Sequence, residues 1–380
     1  MKLPIIFALS GLLVAGAPDA QISVPGDHPT LAQAISAAPP GATIVVSTPQ
    51  LQAPVILDKP VKILGDPVAN IGTDGLCHGP PTPAVLLAGP GSGTVVISGV
   101  NLVQCFDAPQ MRELLSGGGF SDVHVYDSTI LTSLTGFSGL GYGSAAISVS
   151  VPFLMLSGCS VLGGRDDIDN CWVGGFPTLL PPLNAYPAVE APGSTVAVLD
   201  SSIFGGSHNS QCCVLCTCPT DLSVIAGAGG TGIIASRVIE ADSTVAGGAG
   251  ATYHANFQFC GATPSGQAYQ TENFDTLPGV VAGSGPIRLG STWTLNYFVP
   301  GPAAVLVFSF GTEAPTQLAG LGWSFLGPGI LVLGQIPTGI SASLPIPVPT
   351  DKWLLGQEVS FQIFDTSIGL TRPVLGPLVP

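Results

Sequence analysis

An internal repeat narrows most what this 380-residue chain can fold into. Five segments, opening at Val95, Val123, Leu154, Val196 and Val238, share one form: apolar, any, apolar, any, Gly or Asp, small, polar, apolar. Val123-His124-Val125-Tyr126-Asp127-Ser128-Thr129-Ile130 and Val196-Ala197-Val198-Leu199-Asp200-Ser201-Ser202-Ile203 are two copies. Alternation turns every second side chain to one face of a strand, and Gly or Asp supplies a corner. Strand, corner, strand is the unit of a coil that stacks on copies of itself. The copies start 28, 31, 42 and 42 residues apart. A bare coil takes roughly 20–25 residues, so the excess must leave as inserts on one side, chiefly residues 165–188 and 207–231. Three copies run on into Gly-Gly, at 163–164, 205–206 and 247–248. Asp127, Asp200 and Asp242 recur at one repeat position and read as corner residues that cap backbone turns. Glu240 breaks an otherwise apolar position. The expected fold is all-β, a right-handed parallel β-helix.

Composition agrees. Only 8% of residues are charged, against about 25% in an average globular chain. Fifty-one glycines and 36 prolines disfavour helix bundles, and an apolar fraction of 46% disfavours disorder. One short helix is expected near the start, where Leu31, Ala34, Ile35 and Ala38 share a face between Pro29 and Pro39-Pro40-Gly41. It would cap the tube. From Arg288 onward the repeat is gone, and three of the four tryptophans appear: Trp293, Trp323 and Trp353. Alternating residues 292–297 and 359–363 predict a small antiparallel β-sandwich there. The expected division is a leader over 1–20, a β-helix over 21–287 and the sandwich over 288–380.

Lys2, an apolar stretch over residues 5–14 and Ala15-Gly16-Ala17 have the order of a secretory signal, cleaved there or after Ala20. The mature protein is then secreted or held at the cell surface and does not span a membrane. In that setting the nine cysteines predict disulfides, with at least one left over. Cys171, Cys212, Cys213, Cys216 and Cys218 fall in the two long inserts and are expected to meet. Four thiolates would suit zinc, but the spacing lacks two separated C-x-x-C knuckles. A net charge of −14 with nine Lys and Arg argues against nucleic acid and anionic membranes as partners.

Residues 22–66 resemble the N-terminal cap and first coil of the pectin-lyase-like β-helix superfamily, as found in pectinesterases and copper-maturation-type proteins. The matching residues are Pro29-Thr30-Leu31, Ala34-Ile35, Ala38-Pro39, Gly41-Ala42-Thr43-Ile44 and residues 55–65. The tail, with Leu344-Pro345-Ile346-Pro347 and Leu355-Gly356-Gln357, looks like small β-domains appended to exported bacterial proteins. The resemblance implies a fold and leaves the activity open. The paired aspartates of a pectinesterase are absent. A polygalacturonase-like set is approached by Asp74, Asp166-Asp167, Ser207-His208 and Arg237, without the second glycine or the lysine. A pectate lyase's basic groove is missing.

Arg165-Asp166-Asp167-Ile168-Asp169 is the densest charge cluster in the chain. It reads as a solvated loop, as a calcium site formed by Asp166, Asp167 and Asp169, or as chemistry. With His208 aligned to Asp166 by the 42-residue offset, Asp166, Asp167 and His208 are the candidate catalytic residues. Arg165 and Trp172 are candidate ligand-binding residues, Trp172 as a platform for a sugar ring. Calcium is the one cofactor suggested. Two functions follow: a non-catalytic exported β-helix that binds an extracellular polysaccharide or cell-surface glycan, or a polysaccharide lyase or glycoside hydrolase.

Overall fold

The computed structural model describes residues 20–72, 82–103, 113–132, 144–164, 171–173, 185–207, 211–214, 228–250, 252–255, 258–283 and 285–380. The expected leader lies almost wholly outside them.

The chain winds into a parallel β-helix with three sheets. The first stacks residues 21–24, 43–46, 62–65, 94–98, 122–126, 153–157, 195–199, 237–240 and 273–276. After a corner, the second stacks residues 69–72, 101–103, 129–131, 160–162, 202–204 and 244–246. The third stacks residues 55–57, 85–88, 115–118, 147–150, 189–190, 233–234 and 269–270. The five repeat openings form one column, Val95 on Val123 on Leu154 on Val196 on Val238. Alternation fills the tube, with Val123, Val125, Leu154, Leu156, Val196 and Val198 all in one buried core.

The corner explains the Gly-or-Asp position. Gly99, Asp127, Gly158, Asp200 and Asp242 have φ of 65°, 45°, 66°, 50° and 47°. This left-handed region costs most L-residues about 1–2 kcal/mol, and Asp is among those that tolerate it best. Holding the corner falls to the residue that follows. The hydroxyls of Ser128, Ser201 and Ser243 donate to the carbonyls of Tyr126, Leu199 and Ala241, at 2.6, 2.8 and 3.0 Å. The same hydroxyls accept the N–H groups of Val100, Cys159 and Ser201 from the neighbouring rung, at 3.2, 3.0 and 3.1 Å. The aspartates therefore supply the backbone conformation, while the serines make the hydrogen bonds. Cys159 takes the serine's place in its rung as a buried free thiol.

The predicted helix spans Leu31–Ala37, begins at Thr30, whose hydroxyl accepts from Gln33 N, and buries Leu31, Ala34 and Ile35 in the core of the first rungs. At the other end lies Glu240. It stacks between Val198 and Thr276 in the last full rung, where it is half-buried and accepts a hydrogen bond from the Tyr269 hydroxyl. The second sheet ends beside it at 244–246, so an interior carboxylate here keeps its access to water.

Beyond residue 279 the strands form a sandwich. Thr292–Phe298 pairs antiparallel with Val280–Gly283 and Ser341–Pro347. Facing them is a sheet in the order Ile287–Arg288, Val374–Val379, Glu358–Asp365, Ala304–Phe310, Gly329–Ile336. Trp293 of one sheet stacks on Phe361 of the other, centroids 5.3 Å apart.

The sandwich lies along the first sheet of the tube. Outward-facing Val96, Tyr126, Met155, Ala197, Leu199, Ile239 and Ala241 form one cluster with Trp323, Phe325 and Leu375. At the first rungs, Val45 and Leu64 meet Leu355.

Candidate functional site

Every long excursion leaves the tube at the same corner, between the end of the second sheet and the start of the third. The intervals are 73–84, 104–114, 132–146, 163–188, 205–232 and 247–268. The last three start on the Gly-Gly pairs, and the reason is steric. A Cβ on Gly206 would lie 1.9 Å from Gly164 O, and one on Gly248 would lie 1.8 Å from Gly206 O. The backbones stack too closely there for any side chain. Their N–H groups continue the stack, Gly230 donating to Gly206 O at 2.8 Å and Gly248 to Gly230 O at 2.8 Å.

The same three excursions build a second, lateral sheet. Cys171–Val173, Gln211–Val214 and Thr252–Ala255 run parallel, and Gln258–Ala262 adds to the last of them antiparallel. Backbone register sets Cys171 opposite Cys212, Trp172 opposite Cys213, and Cys212 opposite His254. The expected approach of Cys171 to Cys212 and Cys213 is thus present in the backbone; Cys216 and Cys218 lie outside the described residues. So do Arg165, Asp166, Asp167, Asp169 and His208. The 42-residue offset that aligned Asp166 with His208 holds at Leu162 and Phe204 and has become 41 at Cys171 and Cys212. Asp166 and His208 lie between these two points, outside the described residues.

Two polar clusters at the junction of tube and sandwich were not anticipated from the sequence. In the first, Glu358 Oε1 accepts the Tyr126 hydroxyl at 2.5 Å and lies 2.7 Å from His124 Nδ1. Burial alone would raise the Glu358 carboxyl. The His124 charge and the hydrogen bonds from His124 and Tyr126 outweigh it and hold the group below its ordinary value. Burial, with the Glu358 charge beside it, pushes the Tyr126 hydroxyl well up. An acid, a base and a phenol in contact resemble a reaction centre. Here His124 is 0%, Tyr126 1% and Glu358 8% exposed, so the cluster pins two domains together.

In the second cluster, Arg372 Nη1 sits 2.7 Å from Asp200 Oδ1 and 2.8 Å from Asp242 Oδ2. Two stacked corner aspartates thus clamp one cation of the sandwich. Asp127, in the same column, has no such clamp among the described residues; it is exposed at the surface, and partial desolvation by its neighbours, and then the charge of Asp200, raises its carboxyl. One trait of the sequence pointed to this junction. The outward positions of the first sheet are largely apolar, which a solvated face would not need.

Among the described residues there is no group of three His, Cys, Asp or Glu side chains that could hold a metal ion. Among them, too, no helix is long and apolar enough to cross a membrane. A scan against protein-family models finds none that matches this chain, and a search of curated proteins finds no match to it either.

Proposed function

We propose that this is an exported, non-catalytic parallel β-helix protein that binds an extracellular polysaccharide or cell-surface glycan through the surface built by its inserts. The observation that carries the reading is the convergence of all inserts on one corner, three of them pairing into a lateral sheet. Loops placed on one side of a rigid scaffold are where binding residues concentrate. Rungs that repeat about every 4.8 Å along a tube offer a periodic surface to a periodic polymer. Trp172, on the first strand of that sheet, supplies an aromatic face for a sugar ring. In this reading, residues 1–20 are the export signal, and disulfides among the insert cysteines hold the inserts in place. The likeness of residues 22–66 to pectin-lyase-like β-helices fits such a role.

The test is binding of the purified mature protein to pectins, alginates and neutral glycans, with and without calcium, measured by affinity electrophoresis. Retardation by at least one polymer is expected, and its loss in Trp172→Ala. Failure to bind any of them overturns the proposal. Release of reducing or unsaturated sugar ends, abolished in Asp166→Asn or His208→Ala, would replace it with a lyase or hydrolase.

A further inference from the structure

The C-terminal sandwich holds a cavity of about 270 Å³ between its two sheets, with no insert residue in its lining. Trp293 and Ile346 line it from the three-stranded sheet, and Phe308, Val359, Phe361 and Leu378 from the facing one. The cavity has a local cause. Strand Ser341–Pro347 ends in Leu344-Pro345-Ile346-Pro347, and prolines withhold the N–H groups that a further strand would need. The chain then turns away through Pro349 to the short helix Lys352–Leu354, and the sheets are left apart.

The lining's side chains are apolar. Its one side-chain donor, Trp293 Nε1, is already bonded to Gly285 O at 2.9 Å. Water entering would find few partners, and an apolar cavity of roughly 150 Å³ is known to stay dry and to take up small hydrocarbons. This one is larger. It also reaches the surface, since Pro347 in its lining is exposed and Phe310 and Leu333 are half-buried. An apolar lining with a way out suits a molecule that enters by an apolar end and leaves a polar end in water. We propose that this cavity is a binding site for a saturated alkyl chain, the tail of an amphiphile. No charged residue lines it, so recognition falls on the chain and not on the headgroup.

Trp293 in the wall gives a direct readout. The full-length mature protein is titrated with 11-bromoundecanoate, whose bromine quenches tryptophan on contact, and binding is followed in parallel by calorimetry. Saturable quenching at one equivalent is expected, displaced equally by undecanoate and by 1-undecanol. Trp293→Phe should lose most of the quenching while saturable binding is still detected by calorimetry. Val359→Phe, which fills the space, should weaken binding at least ~10-fold. Should that variant not fold, Trp293→Phe alone decides. Absence of saturable binding overturns the proposal, leaving the cavity a packing void. So does quenching unchanged in Trp293→Phe, which would place the ligand elsewhere. Displacement by undecanoate and not by 1-undecanol would overturn the assignment to the chain.

Discussion

Glu358 is where removing a few atoms should cost most. In Glu358→Leu, the oxygen that serves both His124 Nδ1, at 2.7 Å, and the Tyr126 hydroxyl, at 2.5 Å, is gone. Both partners stay buried, at 0% and 1% exposed, and water cannot replace the acceptor. Taking one member from a buried pair costs about 3–5 kcal/mol, and an orphaned buried hydroxyl about 1–3 kcal/mol. Leucine returns about 1.5–3 kcal/mol through apolar burial. The net expectation is a loss of about 4 kcal/mol, a fall in Tm of about 5 °C for a cooperative unit of this size. Urea denaturation followed by near-ultraviolet circular dichroism measures it. The triple variant His124→Leu, Tyr126→Phe, Glu358→Leu should recover most of the loss, because a buried polar cluster replaced whole by apolar groups is often neutral. A single-variant cost below about 1 kcal/mol, or a triple variant no better than the single, would refute the reasoning. The acid response gives a second check. The Glu358 carboxyl lies below its ordinary value of 4.5 in the folded protein. Its contribution is therefore complete above that value and is lost as pH falls through it toward the folded value. Asp122 and Asp127 act in the opposite sense, since partial desolvation raises both. The difference between wild type and Glu358→Gln isolates the Glu358 share, and it should shrink as the solution is acidified.

Three further outcomes are expected. Arg372→Ala should destabilise by about 2 kcal/mol, because Asp200 and Asp242 are themselves largely exposed and can turn to water; Arg372→Lys should recover less than half in the same urea assay. Asp127→Asn should be at least as stable as wild type at pH 7, since it removes a carboxylate raised by partial desolvation and by Asp200 and keeps a side chain that tolerates φ of 45°, whereas Asp127→Ala should lose about 1 kcal/mol; equal stability of the two would contradict the corner argument. Burial pushes the Cys159 thiol up to about 12, so the native protein should not react at Cys159 with a disulfide reagent at pH 8, and Cys159→Ser should stay within about 1 kcal/mol of wild type because serine already fills this position in three rungs; rapid native labelling of Cys159 would count against its burial.

The tube was legible because its period is enforced rung by rung. A residue that points inward at Val123 must do so again at Leu154, Val196 and Val238, and each copy repeats the constraint. The corner was legible for the same reason, although which of two adjacent residues makes the hydrogen bonds was not. Strand Glu358–Asp365 illustrates what alternation leaves open. Glu-Val-Ser-Phe-Gln-Ile reads as a strand with one wet face, yet Ser360 and Gln362 are 0% exposed. Gln362 spends its side chain on Phe325 N, Trp323 O and Thr371 O, at 2.8, 3.0 and 2.8 Å. Period tells which residues share a face and is silent about what covers that face. The pairing of Asp166 with His208 rests on an offset of 42 that holds at Leu162 and Phe204 and is 41 at Cys171 and Cys212, and both residues lie between those points, outside the described residues.

A stack in which each rung touches only its neighbours tends to fray from its ends, one repeat at a time. Here the sandwich reaches from Leu355, against Val45 and Leu64, to Arg372 on Asp242 in the last full rung. It ties rungs that share no direct contact, so opening either end also strips the strap, and the array should melt as one unit. The strap also leaves the ribosome after the tube it covers. Until residues 280–380 arrive, Val96, Tyr126, Met155, Leu199 and Ile239 form a bare apolar stripe down the outside of the tube. Protein cut short in the sandwich should therefore self-associate through that stripe, and a chain still being made has to be kept from doing the same.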